Sequence, residues 1–327
     1  MEKIGGKFEK AEQKEGEPKI SYHFFYAPHG TAKDIENLEK AFGEADIYVP
    51  EAYAWGPSGK SLLEAVSNGL APEKALESIW GIKNKSARFH ELEILYNSKK
   101  PILLADIPAT EIDLIKKDKA GDTIFQQAFQ YFAKGELQQA LKELRSALVI
   151  HAEVDEEREE KIKVNLEKQI KTFLVEHPEY SAKKELQILI QLGVLHTNLY
   201  HKFKKENLLA SREFSQPIIV YLFLGEALRR IRFKKEIDNT LLAKGLMGSI
   251  MYNQLIKITD DDIKVERAAR KLVAPLELQD IEQISKDFHL ERIIDIRKYF
   301  FKKFKIRVPK SEEEMDEVLG IEKEEKI

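Results

Sequence analysis

Short apolar runs alternate with amphipathic segments in the first part of the chain, and these patterns predict strands and helices. The runs at residues 21–26 and 186–192 are strongly apolar, and residues 46–50 and 101–106 form two more. Short runs bounded by turn residues are typical of buried strands. Between the first two runs, residues 31–42 carry apolar positions at helical spacing. A strand, a helix and a strand within about 30 residues form a βαβ unit, which favours a parallel sheet.

From residue 122 to the strand at 186–192 the pattern is purely helical. Residues 125–148 resemble one tetratricopeptide-type helical hairpin with Gly135 at its turn. A single copy cannot form a solenoid, which needs three or more repeats, so we predict a helical insertion. A long helix follows at residues 155–176, and its apolar stripe, extended backwards, places Arg158 on the buried face.

These patterns predict an α/β fold with a mainly parallel sheet, flanking helices, a helical insertion and a helical C-terminal region. The predicted segments are a flexible N-terminal arm at residues 1–20, a first α/β half at 21–116, the helical insertion at 117–180, the last sheet strand with a histidine loop at 181–205, and the helical C-terminal region with an acidic tail at 206–327.

The C-terminal region offers fewer signals. Helices are predicted at residues 241–256 and 290–304, and the mainly acidic tail from residue 311 is expected to fray. The apolar run 217–224 fits either a strand or the start of a helix, because periodicity does not decide a short run. Residues 297–307 interleave basic and aromatic side chains, which indicates a packed helix with a solvated basic face or, alternatively, a surface for RNA or an acidic partner.

Composition excludes several classes of protein. The chain has 53 basic and 56 acidic residues and a net charge of −3, so no overall field attracts nucleic acid, and we expect no nucleic-acid partner. It has no cysteine, which excludes disulfides, thiolate ligands and a cysteine nucleophile. The run 217–224 is too short for a membrane span, which needs about 20 residues. Residues 1–18 lack the apolar core of a signal peptide. We therefore expect a cytoplasmic protein without a membrane span.

Chemically active side chains follow the ends of the predicted strands. His29, Glu51, Asp106 and His196 each lie at or just past such an end. The carboxyl ends of parallel strands share one edge of a sheet, so these side chains are expected to converge. Imidazoles and carboxylates together are a reasonable ligand set for zinc, manganese or iron, and we predict His29, His196 and Glu51 as the metal ligands.

The order of these residues resembles one superfamily. It includes the TraB/PrgY pheromone-shutdown proteins, the Tiki proteases, the ChaN iron-regulated lipoproteins and the erythromycin esterases, in which two Gly-x-x-His loops and acidic residues converge on one pocket. Residues 193–196, Gly-Val-Leu-His, match the second loop, whereas Tyr26 replaces the glycine of the first. The segment beginning Glu157-Arg158 is similar to the Glu-Arg helix of TraB-like members. The similarity covers residues 22–201.

The resemblance and the residue types together imply hydrolysis of an amide or ester bond in a peptide or small molecule. A bound ion would lower the pKa of its water, Glu51 or Glu157 would accept the proton, and Arg158 would polarise the carbonyl. Without a metal, His29 or His196 would act as the general base, assisted by Glu51.

Two other functions are compatible with the sequence. Residues 54–61 satisfy a loose phosphate-loop pattern, so Lys60 and Asp106 are candidates for a nucleotide hydrolase. Alternatively, the chain is a non-catalytic scaffold that binds a ligand on the sheet or a protein partner through its helical regions.

Overall fold

One parallel sheet organises the first two thirds of the chain in a computed structural model, which describes residues 18–27, 32–77, 85–215, 222–259, 261–290 and 295–321. Its strands are β1 Lys19–Ala27, β2 Ile47–Val49, β3 Glu185–Gly193 and β4 Leu209–Phe214. Their order is β2-β3-β1-β4, and every pairing is parallel. The predicted α/β fold with a parallel sheet and helical regions is confirmed.

The register brings the ends of the two central strands together. Ala27, the last residue of β1, pairs with Gly193, the last residue of β3. Phe24, Phe25 and Tyr26 of β1 have no solvent exposure, although they point to alternate faces. Parallel strands need cover on both faces, which explains why these runs are apolar throughout.

Fourteen helices surround and extend the sheet within the described part of the chain. They are α1 Ala32–Glu44, α2 Pro57–Ser67, α3 Pro72–Glu77, α4 Lys85–Ser98, α5 Ile112–Ala133, α6 Leu137–Glu176, α7 Pro178–Ser181, α8 Thr197–Lys205, α9 Phe223–Arg232, α10 Asn239–Leu255, α11 Asp262–Val273, α12 Leu278–His289, α13 Ile296–Phe304 and α14 Glu312–Leu319. None of them combines the length and the apolarity that a membrane crossing requires.

The predicted hairpin is present, but its second arm is longer than expected. Gly135 forms the turn between α5 and α6 with a φ of +80°, a conformation that glycine adopts without strain. Helix α5 begins at Ile112, ten residues before the predicted change to helix. Helix α6 is continuous for 40 residues, so the predicted second arm and the predicted helix at 155–176 are one element.

The prediction of a strand at residues 101–106 is wrong. Ile102 forms one isolated bridge to Tyr48 of β2, which is itself only three residues long. Beyond the bridge, side chains of α6 take the backbone carbonyls that a strand would offer to a neighbour. Asn165 donates to the carbonyl of Ala105 at 3.1 Å, and Gln169 donates to the carbonyl of Leu104 at 2.6 Å.

Strand β4 was not predicted, because its sequence Leu-Ala-Ser-Arg-Glu-Phe is largely polar and exposed, as an edge position permits.

The run 217–224 lies mostly outside the described residues, and α9 begins at Phe223. The predicted fraying of the tail is wrong for α14. Ser311 caps this helix by accepting from the N–H of Glu314, and Met315 is fully buried.

Among the described residues, three large apolar cores form, together with a small fourth cluster of Ile107, Leu114 and Val154. The second half of α6 packs on one face of the sheet through Ile162, Leu166, Ile170 and Phe173. Helices α1, α2 and α4 cover the other face. The first half of α6 packs with α5 and the C-terminal helices in a separate helical core. The two halves of helix α6 therefore pack in different cores, one against the sheet and one among the helices.

Candidate functional site

Arg158 lies at the centre of a buried polar cluster near the carboxyl ends of β2 and β3. It precedes Ile162 by four residues, so both lie on the buried face of α6. Its Nε donates to Asp106 Oδ1 at 2.9 Å, and its Nη2 donates to Asp106 Oδ2 at 2.5 Å and to Glu51 Oε1 at 2.9 Å. The two carboxylates therefore neutralise the guanidinium and fix its plane.

Backbone N–H groups hold both carboxylates in place. Glu51 Oε2 accepts from the N–H of Gly193 at 2.5 Å, which ties the loop after β2 to the end of β3. Asp106 accepts from the N–H groups of Ala52 at 3.0 Å and Ile107 at 2.8 Å. Glu51 is the more accessible acid, with 19% of its side chain exposed against 2% for Asp106.

His196 ends the 3₁₀ turn Val194–His196 directly after β3, and its buried ring faces three charged groups. Its Nε2 lies 3.0 Å from Arg158 Nη1 and 3.5 Å from Glu51 Oε1. On the opposite side of the ring, Nδ1 lies 3.5 Å from Glu159 Oε1. A neutral ring can accept from Arg158 through Nε2, whereas an imidazolium directs that N–H at Glu51.

The acidic neighbours favour the protonated ring. Burial lowers the pKa of His196, but contacts with Glu159 and then Glu51 outweigh it, and the pKa is raised to about 9. For Glu159 the two effects have the opposite signs. Burial raises its pKa, but His196 and Arg232 together hold the pKa below the ordinary value. His196 is therefore an imidazolium at neutral pH, paired with the carboxylates of Glu159 and Glu51.

Further charged side chains lie around Glu159, on the Nδ1 side of His196. Glu159 has no solvent exposure and contacts the guanidinium of Arg232 and, at 3.6 Å, Lys202 Nζ. Arg232 also lies 3.6 Å from Asp155, whose pKa is raised by burial. In the described part of the chain, His196 Nδ1, Glu159 Oε2 and Arg232 Nε are buried without a hydrogen-bond partner.

Tyr26 has a structural role in this site. Its hydroxyl donates to the carbonyl of His196 at 3.3 Å, and its buried ring packs 5.3 Å from that of Phe214. The side chain that replaces the motif glycine thus supports the other histidine loop.

Tyr53 covers the guanidinium of Arg158. Its ring lies 4.9 Å from the Arg158 Cζ atom, a cation–π geometry. Its hydroxyl donates to Asp118 Oδ2 of α5 at 2.8 Å, and Asp118 Oδ1 lies 3.1 Å from His151 Nδ1 of α6. The helical hairpin therefore anchors an aromatic side chain that is partly exposed at the cluster.

The structure brings together Glu51, Asp106 and His196, which were predicted at strand ends, and Arg158, which was predicted on a buried helix face, although Asp106 does not end a strand. His29 lies outside the described residues. Glu157 is exposed and lies 3.9 Å from Lys161, away from the cluster. The glutamate that faces the histidine is Glu159, which the sequence reasoning missed although it precedes Ile162 by three residues and so shares its helix face.

The described residues do not fit a metal ion. No three His, Asp or Glu side chains among them are grouped as metal ligands. The carboxylates of Glu51 and Asp106 bind Arg158 instead, and His196 Nε2 faces the same guanidinium. The predicted set of His29, His196 and Glu51 stays a prediction.

The two residues of the phosphate-loop alternative have different partners and different exposure. Lys60 lies on the exposed side of α2, 3.6 Å from Glu64. Pro57 begins this helix and Gly56 caps it, so the glycine-rich segment is already helical at Lys60. Asp106 binds Arg158. A nucleotide site built on this pair stays without support.

Comparisons with known proteins give no match: no family model, no curated protein and no solved structure is similar to this chain. The resemblance to the TraB group stays a prediction that rests on the residues named above.

Proposed function

We propose that the cluster is the acid–base centre of a hydrolase that cleaves an amide or ester bond in a peptide or small molecule. The observation that carries this proposal is the contact of Arg158 with both Glu51 and His196 at the carboxyl edge of the sheet. Ligands of open α/β sheets bind at this edge. A fixed cation, an imidazole and a carboxylate are suited to acyl transfer to water.

Arg158 would stabilise the oxyanion that forms when water attacks the carbonyl carbon. In the described part of the chain, three of its N–H groups bind Asp106 and Glu51. A guanidinium has five, so the two on Nη1, beside the protonated ring of His196, are left for a substrate oxygen. Because the carboxylates hold the guanidinium rigidly, little reorganisation is needed during the reaction.

His196 and Glu51 would move the protons. Glu51 takes a proton from the attacking water, because the acidic neighbours of His196 keep its ring protonated. The imidazolium of His196 gives its Nε2 proton to the leaving amine or alcohol and then recovers a proton from Glu51, which lies 3.5 Å away. Glu51 is the more accessible acid of the cluster, which allows contact with substrate.

A panel of chromogenic esters and peptide amides tests this proposal. Glu51→Gln and His196→Asn should each lower kcat/KM by about 10²-fold or more, because each removes a proton-transfer group. Glu157→Gln and His90→Asn, at exposed positions, are the matched controls and should keep the activity. Equal activity in all four variants would refute the assignment.

Treatment with a chelator distinguishes a metal-independent hydrolase from a metal-dependent one. Because Arg158 occupies both carboxylates, we expect activity to persist after treatment with a chelator and dialysis. Activity that is lost on chelation and restored by zinc, manganese or iron would support the ligand set of His29, His196 and Glu51 instead.

One observation favours the non-catalytic alternative. A cleft of about 670 Å³ lies in the helical part of the molecule, and three of the side chains that line it are basic. Its lining residues are Arg145, Arg230, Ile231, Lys235, Glu236, Ile237 and Asp238. If no ester or amide is cleaved, a thermal-shift screen with organic acids and phosphates tests this cleft, with Lys235→Gln as the variant that should lose the shift.

A further inference from the structure

The loop Gly193–His196 is fixed at three backbone atoms by side chains from three separate parts of the chain. Glu51, after β2, accepts from the N–H of Gly193 at 2.5 Å. Tyr26, on β1, donates to the carbonyl of His196 at 3.3 Å. Arg232, the last residue of α9, donates to the carbonyl of Leu195. The third contact comes from the C-terminal region, where the sequence predicted no residue of this site.

Arg232 differs from the other arginines of its helix. Arg229 and Arg230 pair with Glu226 on α9 itself, and about a third of each side chain is exposed. Only 4% of the Arg232 side chain is exposed. Its guanidinium turns inward to the histidine loop and to Glu159.

The contacts of Arg232 converge on His196 from two directions. One N–H holds the carbonyl of the residue before the histidine, which fixes the backbone. Another binds Glu159, which faces His196 Nδ1 at 3.5 Å and so orients the ring. A planar guanidinium holds the two acceptors with two separate nitrogens, whereas the three N–H groups of a lysine ammonium share one nitrogen and lack this fixed geometry.

We propose that Arg232 is a positioning residue of the site, through which the C-terminal helical region completes the histidine loop. Its guanidinium fixes the backbone of Leu195 and the carboxylate of Glu159, and these place the ring of His196 against Arg158 and Glu51. This inference rests on the proposed function for its chemical meaning, but its test needs no substrate.

Hydrogen exchange of the backbone amides of residues 193–197, measured on the full chain, is the test. Arg232→Lys keeps the charge but not the two-point geometry, and we expect exchange about tenfold or more faster in this loop. Arg230→Lys, two residues earlier on the same helix, should leave the loop at the wild-type rate. Wild-type exchange in Arg232→Lys would overturn the proposal, because charge alone would then suffice.

The double variant Glu159→Gln/Arg232→Gln removes both charges together and guards against misfolding caused by an unpaired buried charge. Its loop should also exchange faster, and the ¹⁵N signals of the His196 ring should move towards those of a neutral imidazole, because the carboxylate that faces Nδ1 is gone. A protected loop and an unchanged ring signal would count against the proposal. If the loop responds as expected but no ester or amide is cleaved, the proposed function fails while the positioning role stands.

Discussion

At the scale of single residues, Arg158 is a buried cation that contacts three side chains, Asp106, His196 and Glu51. Changing it to methionine would leave Asp106 and Glu51 as buried carboxylates without their cation. We expect Arg158→Met to lower the free energy of unfolding by about 3–5 kcal/mol. Arg307→Met, which breaks an exposed pair with Glu314, should cost at most about 1 kcal/mol. Urea denaturation of both variants measures the difference, and equal losses would contradict the role of Arg158.

His196 should make stability depend on pH in the alkaline range. Its pKa in the folded chain, about 9, is above the ordinary value of 6.5. The stabilisation is therefore fully present below pH 6.5 and is lost as the pH rises through 9.

The measurement is the difference in unfolding free energy between the wild type and His196→Asn. That difference should shrink by an amount on the order of 3 kcal/mol between pH 6 and pH 10. His90→Asn serves as the control at an exposed histidine. A difference that is constant across this range would contradict the charged state of His196.

Tyr53 should control access to Arg158. Tyr53→Ala removes the ring over the guanidinium, so modification of Arg158 by phenylglyoxal should become faster, as followed by mass spectrometry. Tyr53→Phe keeps the ring but loses the bond to Asp118, so an intermediate rate is expected, with a stability loss of about 1 kcal/mol. Identical rates in the wild type and both variants would show that the ring does not cover the guanidinium.

At the scale of elements, the hairpin of α5 and α6 is packed too closely at Gly121 for a larger side chain. A Cβ atom there would lie 2.9 Å from Cε1 of His151, which must then move away from Asp118. We expect Gly121→Ala to cost about 1–3 kcal/mol. Gly59→Ala in α2 meets nothing within 4 Å and should raise stability by up to about 1 kcal/mol. Thermal unfolding of the two variants should shift in opposite directions.

The sequence predicted those elements whose signal is local. The apolar runs of β1 and β3 and the turn at Gly135 depend on neighbouring residues alone, and the structure has them. Residues 101–106 are as apolar as a strand, but their pairing depends on Asn165 and Gln169 of a helix about 60 residues later. No local pattern contains that information.

The same limit applies to the candidate site. The strand ends predicted Glu51 and His196, and helical spacing predicted the burial of Arg158. Glu157 was predicted from the Glu-Arg motif, whereas the buried helix face would have indicated Glu159. Arg232 could not be predicted, because a buried arginine near the end of a basic helix resembles the exposed arginines beside it until its partners are known.

At the scale of the whole molecule, α6 joins two cores. Its first half contributes Leu141 and Leu144 to the helical core, and its second half contributes Ile162 and Leu166 to the sheet core. Because the helix is continuous, loss of one core removes support from the other. We expect one cooperative transition in urea, with coincident midpoints by tryptophan fluorescence and by far-ultraviolet circular dichroism. Separate midpoints would show that the two cores unfold independently.

The strand order has a consequence for synthesis on the ribosome. Strands β1 and β2 are both hydrogen-bonded to β3 and not to each other, and the paired residues Lys19 and Glu185 are 166 positions apart. Translation proceeds at about 5–20 residues per second, so β3 is synthesised roughly 10 to 30 s after β1. During that interval the three consecutive aromatic residues of β1, Phe24 to Tyr26, lack the neighbouring strand β3 with which they pair. The nascent chain is therefore expected to need a holding chaperone until β3 has emerged.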